Sequence, residues 1–146
     1  MLVRCLYASR PAQPLKSELL DGILEQSRRN NPPRGITGLL SFTNDVFVQV
    51  IEGGRDEVCD LFNTLVKDDR HTHVRLLSYE EVGERRFPAW SMGQVNVGSL
   101  NRALLLKYSQ KAVLDPFTMP GQATMALLSE LVATGAIATR TGGTSH

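Results

Sequence analysis

The stretch 35–53, GITGLLSFTNDVFVQVIEG, decides the fold. Ile36 to Phe42 reads as one strand and Val46 to Glu52 as the next, joined by the short turn Thr43-Asn44-Asp45 and ended by Gly53-Gly54. The centre of the chain is therefore a β-hairpin. Upstream, Leu2 to Ala8 alternates as a strand, with Val3, Cys5 and Tyr7 on one face and Leu2, Arg4 and Leu6 on the other. Pro11 and Pro14 break it. Leu15, Leu19, Leu20, Ile23 and Leu24 then mark one stripe of a helix over Leu15 to Arg29. That helix stops by Asn31, because Pro32 disfavours helical backbone in the residue before it.

Downstream of the hairpin, Val58, Leu61, Phe62, Leu65 and Val66 recur at helical spacing within Asp56 to Lys67. A polar loop, Asp68 to Thr72, leads to a fourth strand from about Val74 to Val82, and Trp90 to Val97 reads as a fifth. The order β-α-β-β-α-β-β is the split arrangement of ferredoxin-like α+β folds, a mixed five-stranded sheet with two helices on one face. Two further helices are predicted at Leu100 to Tyr108 and Pro120 to Ala133. Their Leu104, Leu105, Leu127, Leu128, Leu131 and Val132 suit the open sheet face or another chain. The expected division is a domain over 1–97, a helical extension over 98–138 and a disordered Gly- and Thr-rich tail over 139–146.

A length of 146 residues fits one domain, and 42% hydrophobic residues suffice for a core. With 16 Lys+Arg against 15 Asp+Glu, the net charge of +1 makes no electrostatic case for a nucleic-acid or membrane-surface partner. Cys5 and Cys59 form no CxxC pair, so neither a disulfide scaffold nor a zinc site is expected. No apolar run approaches the ~20 residues of a membrane span, and Arg4 interrupts the opening apolar run, unlike a signal peptide. The expectation is a soluble cytoplasmic domain.

Function is sought in polar groups where the pattern asks for apolar ones. Gln49 lies between Phe47 and Ile51 on one strand face and needs an internal partner, since each unmet amide group costs roughly 1–3 kcal/mol. Tyr7 shares the face of Val3 and Cys5. In this topology the first and third strands are neighbours, bringing Tyr7 and Gln49 toward each other. The stripe of Leu20, Ile23 and Leu24 turns polar at Ser27 and Asn31. Asn30 and Asn31 either cap the helix or bond a planar ligand between the helices. Trp90 and Met92 are ordinary core residues when taken alone. Arg70, His71 and His73 have no third partner to make a metal site.

Taken together, these residues resemble a BLUF domain. The resemblance is carried by Tyr7 and Ser9, by Asn30-Asn31-Pro32 to Gly35-Ile36-Thr37-Gly38-Leu39-Leu40, and by Phe47 to Gly53. It continues through Asp68-Asp69-Arg70-His71 and Arg85-Arg86-Phe87 to Trp90-Ser91-Met92, and Leu106-Lys107-Tyr108-Ser109 is similar to the short, stand-alone members. The resemblance implies a blue-light photoreceptor holding a flavin, usually FAD, between the two helices. By it, Asn31 would bind the ring's polar edge, with Asn30, Arg70 and His71 beside it. Ile23 and Leu65 would sandwich the ring, and Ser27 would line the pocket. Tyr7 and Gln49 would be the photoactive pair, with Met92 and Trp90 relaying the change. It implies a sensor rather than an enzyme. Its partners would be further copies in a homo-oligomer or a downstream protein such as a cyclic-dinucleotide phosphodiesterase or a response regulator. The alternative is a light-insensitive ferredoxin-like interaction module that binds no flavin.

Two other uses of such a fold fit poorly. An acylphosphatase needs a Gly-rich loop of backbone donors after the first strand, where this chain has Ala8-Ser9-Arg10-Pro11-Ala12. An RNA-binding sheet needs stacking aromatics on its third strand, which here offers Phe47 alone.

Overall fold

In the computed structural model, which describes residues 1–97 and 100–134, the hairpin consists of β2 (Thr37–Phe42) and β3 (Phe47–Gly54). They pair antiparallel, with Phe42 opposite Phe47 and Leu40 opposite Gln49. Around them lie β1 (Leu2–Pro11), α1 (Ser17–Asn30), α2 (Arg55–Val66), β4 (His71–Val82), β5 (Gly93–Asn96), α3 (Arg102–Tyr108) and α4 (Gly121–Ala133). The expected tail over 139–146 lies outside the described residues, as do parts of the expected extension.

The sheet runs β4-β1-β3-β2-β5. Its first four strands are antiparallel neighbours, and β5 joins β2 in parallel. This is the ferredoxin-like α+β fold, with β3 inserted between the two strands of the β1-α1-β2 unit. Val3, Cys5, Tyr7 and Ile51 point to one face and are covered by Leu20 and Leu24 of α1 and Val58 of α2. Leu6, Ala8, Val48 and Val50 point to the other and are covered by Leu105 of α3 and Leu127, Leu128 and Leu131 of α4. Of the two surfaces open to the C-terminal helices, they take the sheet face. The central strands β1 and β3 are thus buried along nearly their whole length because both of their faces are roofed, Arg4, Gln49 and Glu52 included.

Several boundaries differ from the sequence reading, two of them near the site. β4 starts at His71 rather than Val74, because β1 runs on to Pro11 and gives Thr72 and His71 partners in Arg10 and Pro11. β5 starts at Gly93 rather than Trp90. There the Trp90 carbonyl accepts from the Gly38 amide at 3.0 Å and the Ser91 carbonyl accepts from the Asn31 side chain at 2.8 Å, so this backbone is held outside the ladder. β4 also carries two irregularities. The register against β1 slips at Leu77, between the pairs Leu6–Ser78 and Tyr7–Leu76, and again at His73 and Val74, opposite Ser9. His73 has φ 54°, the left-handed region that suits a bulge.

Two glycines are required by close approach. A Cβ on Gly38 would lie 2.2 Å from the Val50 carbonyl oxygen. A Cβ on Gly121, the first residue of α4, would lie 2.8 Å from the Leu77 carbonyl oxygen, so α4 is seated on the extra residue of β4. A buried charge network ties the sheet to the loop before β5. Glu52, fully buried, accepts from Arg4 Nε at 2.7 Å and from the backbone amides of Arg86 and Phe87 at 2.9 and 2.7 Å. Arg4 also reaches Glu80 at 3.0 Å.

Candidate functional site

Tyr7 and Gln49 are direct cross-strand partners on β1 and β3. Both are buried, and the Tyr7 hydroxyl donates to Gln49 Oε1. The Gln49 amide nitrogen donates in turn to the Met92 sulfur at 3.5 Å. The amide that breaks the apolar pattern is thereby satisfied at both ends. Phe62 of α2 meets the Tyr7 ring edge-on, with centroids 5.5 Å apart. Burial holds the Tyr7 phenol well above its ordinary pKa, with the Cys5 thiol and the Asp68 carboxylate pushing the same way. The neutral, donating form is the one the site keeps.

Tyr7 and Gln49 line a narrow cleft of about 30 Å³ between Ile23 of α1 and Leu65 of α2. Arg70, His71 and Asp68 stand at its polar rim. Asp68 accepts from Arg70 Nε and Nη2 at 3.0 and 2.5 Å, and Arg70 also donates to Gln26 of α1 at 2.9 Å. The Arg70 guanidinium holds the Asp68 carboxyl below its ordinary pKa. His71 Nε2 faces the Leu65 carbonyl, which can only accept, so that nitrogen carries the proton in the neutral ring. Its Nδ1 then accepts from the Ser9 hydroxyl at 2.9 Å.

Of the residues singled out in the sequence, Tyr7, Ile23, Gln49, Leu65, Arg70 and His71 line this cleft. Met92 joins it through Gln49. Asn31 is buried at the end of α1, with its amide nitrogen on the Ser91 carbonyl. Ser27 is half-buried and bonds Asn31 through its backbone carbonyl at 2.8 Å, while Asn30 is exposed. Trp90 stands apart, packed against the cluster on the far sheet face together with the C-terminal helices. The sequence reading assigned no role to Asp68, Ser9, Leu40 or Phe47. Ser9 and Phe47 were legible as the i+2 and i−2 neighbours of Tyr7 and Gln49 on the same strand faces.

The lining suits a planar heteroaromatic ring with a polar edge. Aliphatic Ile23 and Leu65 offer its faces a slot, and the Gln49 amide, the Arg70 guanidinium and the Tyr7 phenol offer hydrogen bonds. Arg70, bonded to Gln26 of α1 at 2.9 Å, ties that helix to the start of β4 beside the slot.

Residues 2–93 match the family model described as BLUF, sensors of blue light using FAD. The photoactivated adenylate cyclase subunit beta of Euglena longa is 33% identical over 92 residues, 62% of this chain and 11% of that protein. The chain thus spans about one ninth of the length of the cyclase subunits it matches. Among solved structures, the photo-activated state of BlsA matches with a TM-score of 0.79 and 30% identity, over 90% of this chain and 95% of that one. Klebsiella pneumoniae BlrP1 with FMN and cyclic diGMP matches with a TM-score of 0.67 and 30% identity, over 92% of this chain and 36% of that one.

Proposed function

This chain belongs to the BLUF family of blue-light flavin sensors, and from that premise we propose that it holds FAD in the cleft above Tyr7 and Gln49 and converts blue light into a change of hydrogen bonding. The observation that carries the reading is the buried chain from Tyr7 hydroxyl to Gln49 carbonyl oxygen, and from Gln49 nitrogen to Met92 sulfur. A bound flavin supplies the absorption of blue light and, once excited, the oxidising power. Ile23 and Leu65 clamp the ring, Arg70 and Asn31 address its polar edge, and Ser27, Asn30 and His71 border it.

Tyr7 is the donor. It gives up an electron and its hydroxyl proton, then takes both back, so no net oxidation results. Gln49, already bonded to that hydroxyl, passes the proton in each direction and ends rotated or tautomerised. Its nitrogen then no longer faces the Met92 sulfur as before. In a buried network one altered bond obliges the neighbours to respond, and Met92 leads directly into β5. That biases a two-state element toward its second state. Trp90, on the far face, would feel the change through the backbone it shares with Met92.

The protein acts in this reading as a sensor rather than a catalyst. It works in the cytoplasm, and no helix among the described residues is long and apolar enough to cross a membrane. Its output passes to further copies of itself or to a separate effector, such as a cyclic-dinucleotide phosphodiesterase or a response regulator.

The test is the absorption spectrum of the purified protein in darkness and after blue light. A flavin spectrum that shifts slightly red without bleaching and recovers in the dark is expected, and Tyr7→Phe removes the shift while keeping the flavin. A shift that survives Tyr7→Phe removes Tyr7 from the mechanism. A colourless protein that refuses added FAD and FMN leaves the flavin-free interaction module as the answer.

A further inference from the structure

β4 is an end strand of the sheet, twelve residues long, and its outer edge has no partner strand among the described residues. Long unpaired edges invite pairing unless charge, bulges or cover protect them. This one carries Leu76, 54% exposed, and Tyr79, 40% exposed, beside an apolar cleft of about 200 Å³ against Cys59 and Phe62 of α2. Arg75, also exposed, donates to the Val74 carbonyl in its own strand and has no carboxylate partner among the described residues.

We propose that β4 pairs antiparallel with β4 of a second copy, about a two-fold axis between Leu77 and Ser78. In that register Leu76 of each copy faces Tyr79 of the other, and Arg75 of each faces Glu80 of the other. The bulge makes the match work. Leu76 and Tyr79 sit opposite Tyr7 and Cys5 of β1 and therefore share the α1–α2 face. Arg75 and Glu80 sit opposite Ala8 and Arg4 and share the other. Shifting the register by one residue sets Leu77 against Tyr79, from opposite faces, and Leu76 against Glu80. The matching register thus supplies two apolar and two opposite-charge cross-strand pairs, the units that stabilise a sheet. Glu80 already takes Arg4 on one oxygen, and a carboxylate accepts a second guanidinium on the other.

An edge contact of this length lies below the roughly 1,200–2,000 Å² of stable complexes. The dimer is therefore weak, exchanging and sensitive to salt. It stands apart from the light reaction, so it is measured in darkness on the full flavin-loaded chain.

Sedimentation velocity over a concentration series reads the dissociation constant. The expected result is a concentration-dependent dimer that Arg75→Glu, which opposes two carboxylates to Glu80, weakens at least tenfold without loss of flavin absorption. Register is read by oxidative cross-linking in a Cys59→Ser background. Chains with Leu76→Cys mixed with chains carrying Tyr79→Cys should cross-link, and either variant alone should not. Three results overturn the proposal: a monomer at every concentration, a dimer indifferent to Arg75→Glu, or cross-links of Leu76→Cys with itself. A β4 edge that instead captures a different protein as an added strand would show as the first of these.

Discussion

The Gln49 amide and the Met92 sulfur are joined by a buried 3.5 Å hydrogen bond, while Trp90, two residues before Met92, faces the opposite side of the sheet. The short segment Trp90–Met92 therefore has one side chain on each face. A change at Gln49 is delivered to Met92 by contact and to the C-terminal helices by the backbone between them.

Met92→Leu keeps the volume but removes the acceptor of the Gln49 nitrogen. It is expected to lower stability by about 1–3 kcal/mol, the cost of a stranded buried donor, read as a lower urea midpoint. The photoshift should persist, because Tyr7 and Gln49 remain paired. The difference in amide exchange between lit and dark protein should vanish at β5. An undiminished difference there would route the signal around Met92.

Alkaline stability has a definite sign. Burial pushes the Cys5 thiol up to about 12 and raises the Tyr7 phenol. In both groups the fold favours the proton-bound form, so their contribution is complete below the unfolded-state pKa. It is lost as pH rises toward the folded one. Unfolding free energy should fall from about pH 9 upward, at about 1.4 kcal/mol per pH unit from Cys5, and more steeply above about pH 10 where unfolded tyrosine ionises. Urea titrations of wild type and Cys5→Val, under reductant, should diverge in slope above about pH 9. Parallel slopes would remove Cys5 as the cause.

Glu52→Gln strips the counter-charge from a guanidinium that is 5% exposed and replaces an acceptor of backbone amides with a group that is half donor. A loss of about 3 kcal/mol is expected in chemical denaturation, as for other broken buried pairs. A loss below about 1 kcal/mol would mean that Glu80 alone satisfies Arg4.

Two glycines should respond oppositely to alanine. Gly22 lies inside α1 with nothing within 4 Å of where its Cβ would be, so Gly22→Ala should stabilise by about 0.5–1 kcal/mol. Gly38→Ala drives a methyl into the Val50 carbonyl and should cost well over about 1 kcal/mol, enough to separate β2 from β3 locally. Thermal melts of the two variants should move in opposite directions.

The period-two pattern put Tyr7 and Gln49 on definite faces of β1 and β3, and the topology made those strands neighbours, which brought the two toward each other. Their direct pairing is fixed by the register of the folded sheet. The same pattern says nothing about Trp90. It precedes β5 in irregular backbone, where Asn31 and Gly38 from distant parts of the chain set the geometry. Nor could the bulges of β4 be read, since an extra residue at Leu77 leaves composition and hydropathy unchanged. At the rim, Arg70 and His71 were expected beside the polar edge, but the bonds of Arg70 to Asp68 and Gln26 were not legible, for a related reason. Asp68, Arg70 and Gln26 meet only after α1 and the start of β4 have been brought side by side, and polar loop residues carry no period to announce it.

The roofing of both sheet faces has a mechanical consequence. β1 and β3 act as a taut diaphragm between two filled chambers, one holding Tyr7 and Gln49 and the other holding Leu127, Leu128 and Leu131. Close-packed interiors compress very little, so a bulge of the diaphragm into one chamber must displace side chains in the other. Gly121, at the Leu77 carbonyl of β4 without a side chain to cushion it, is one place where the strand beside β1 meets α4 directly.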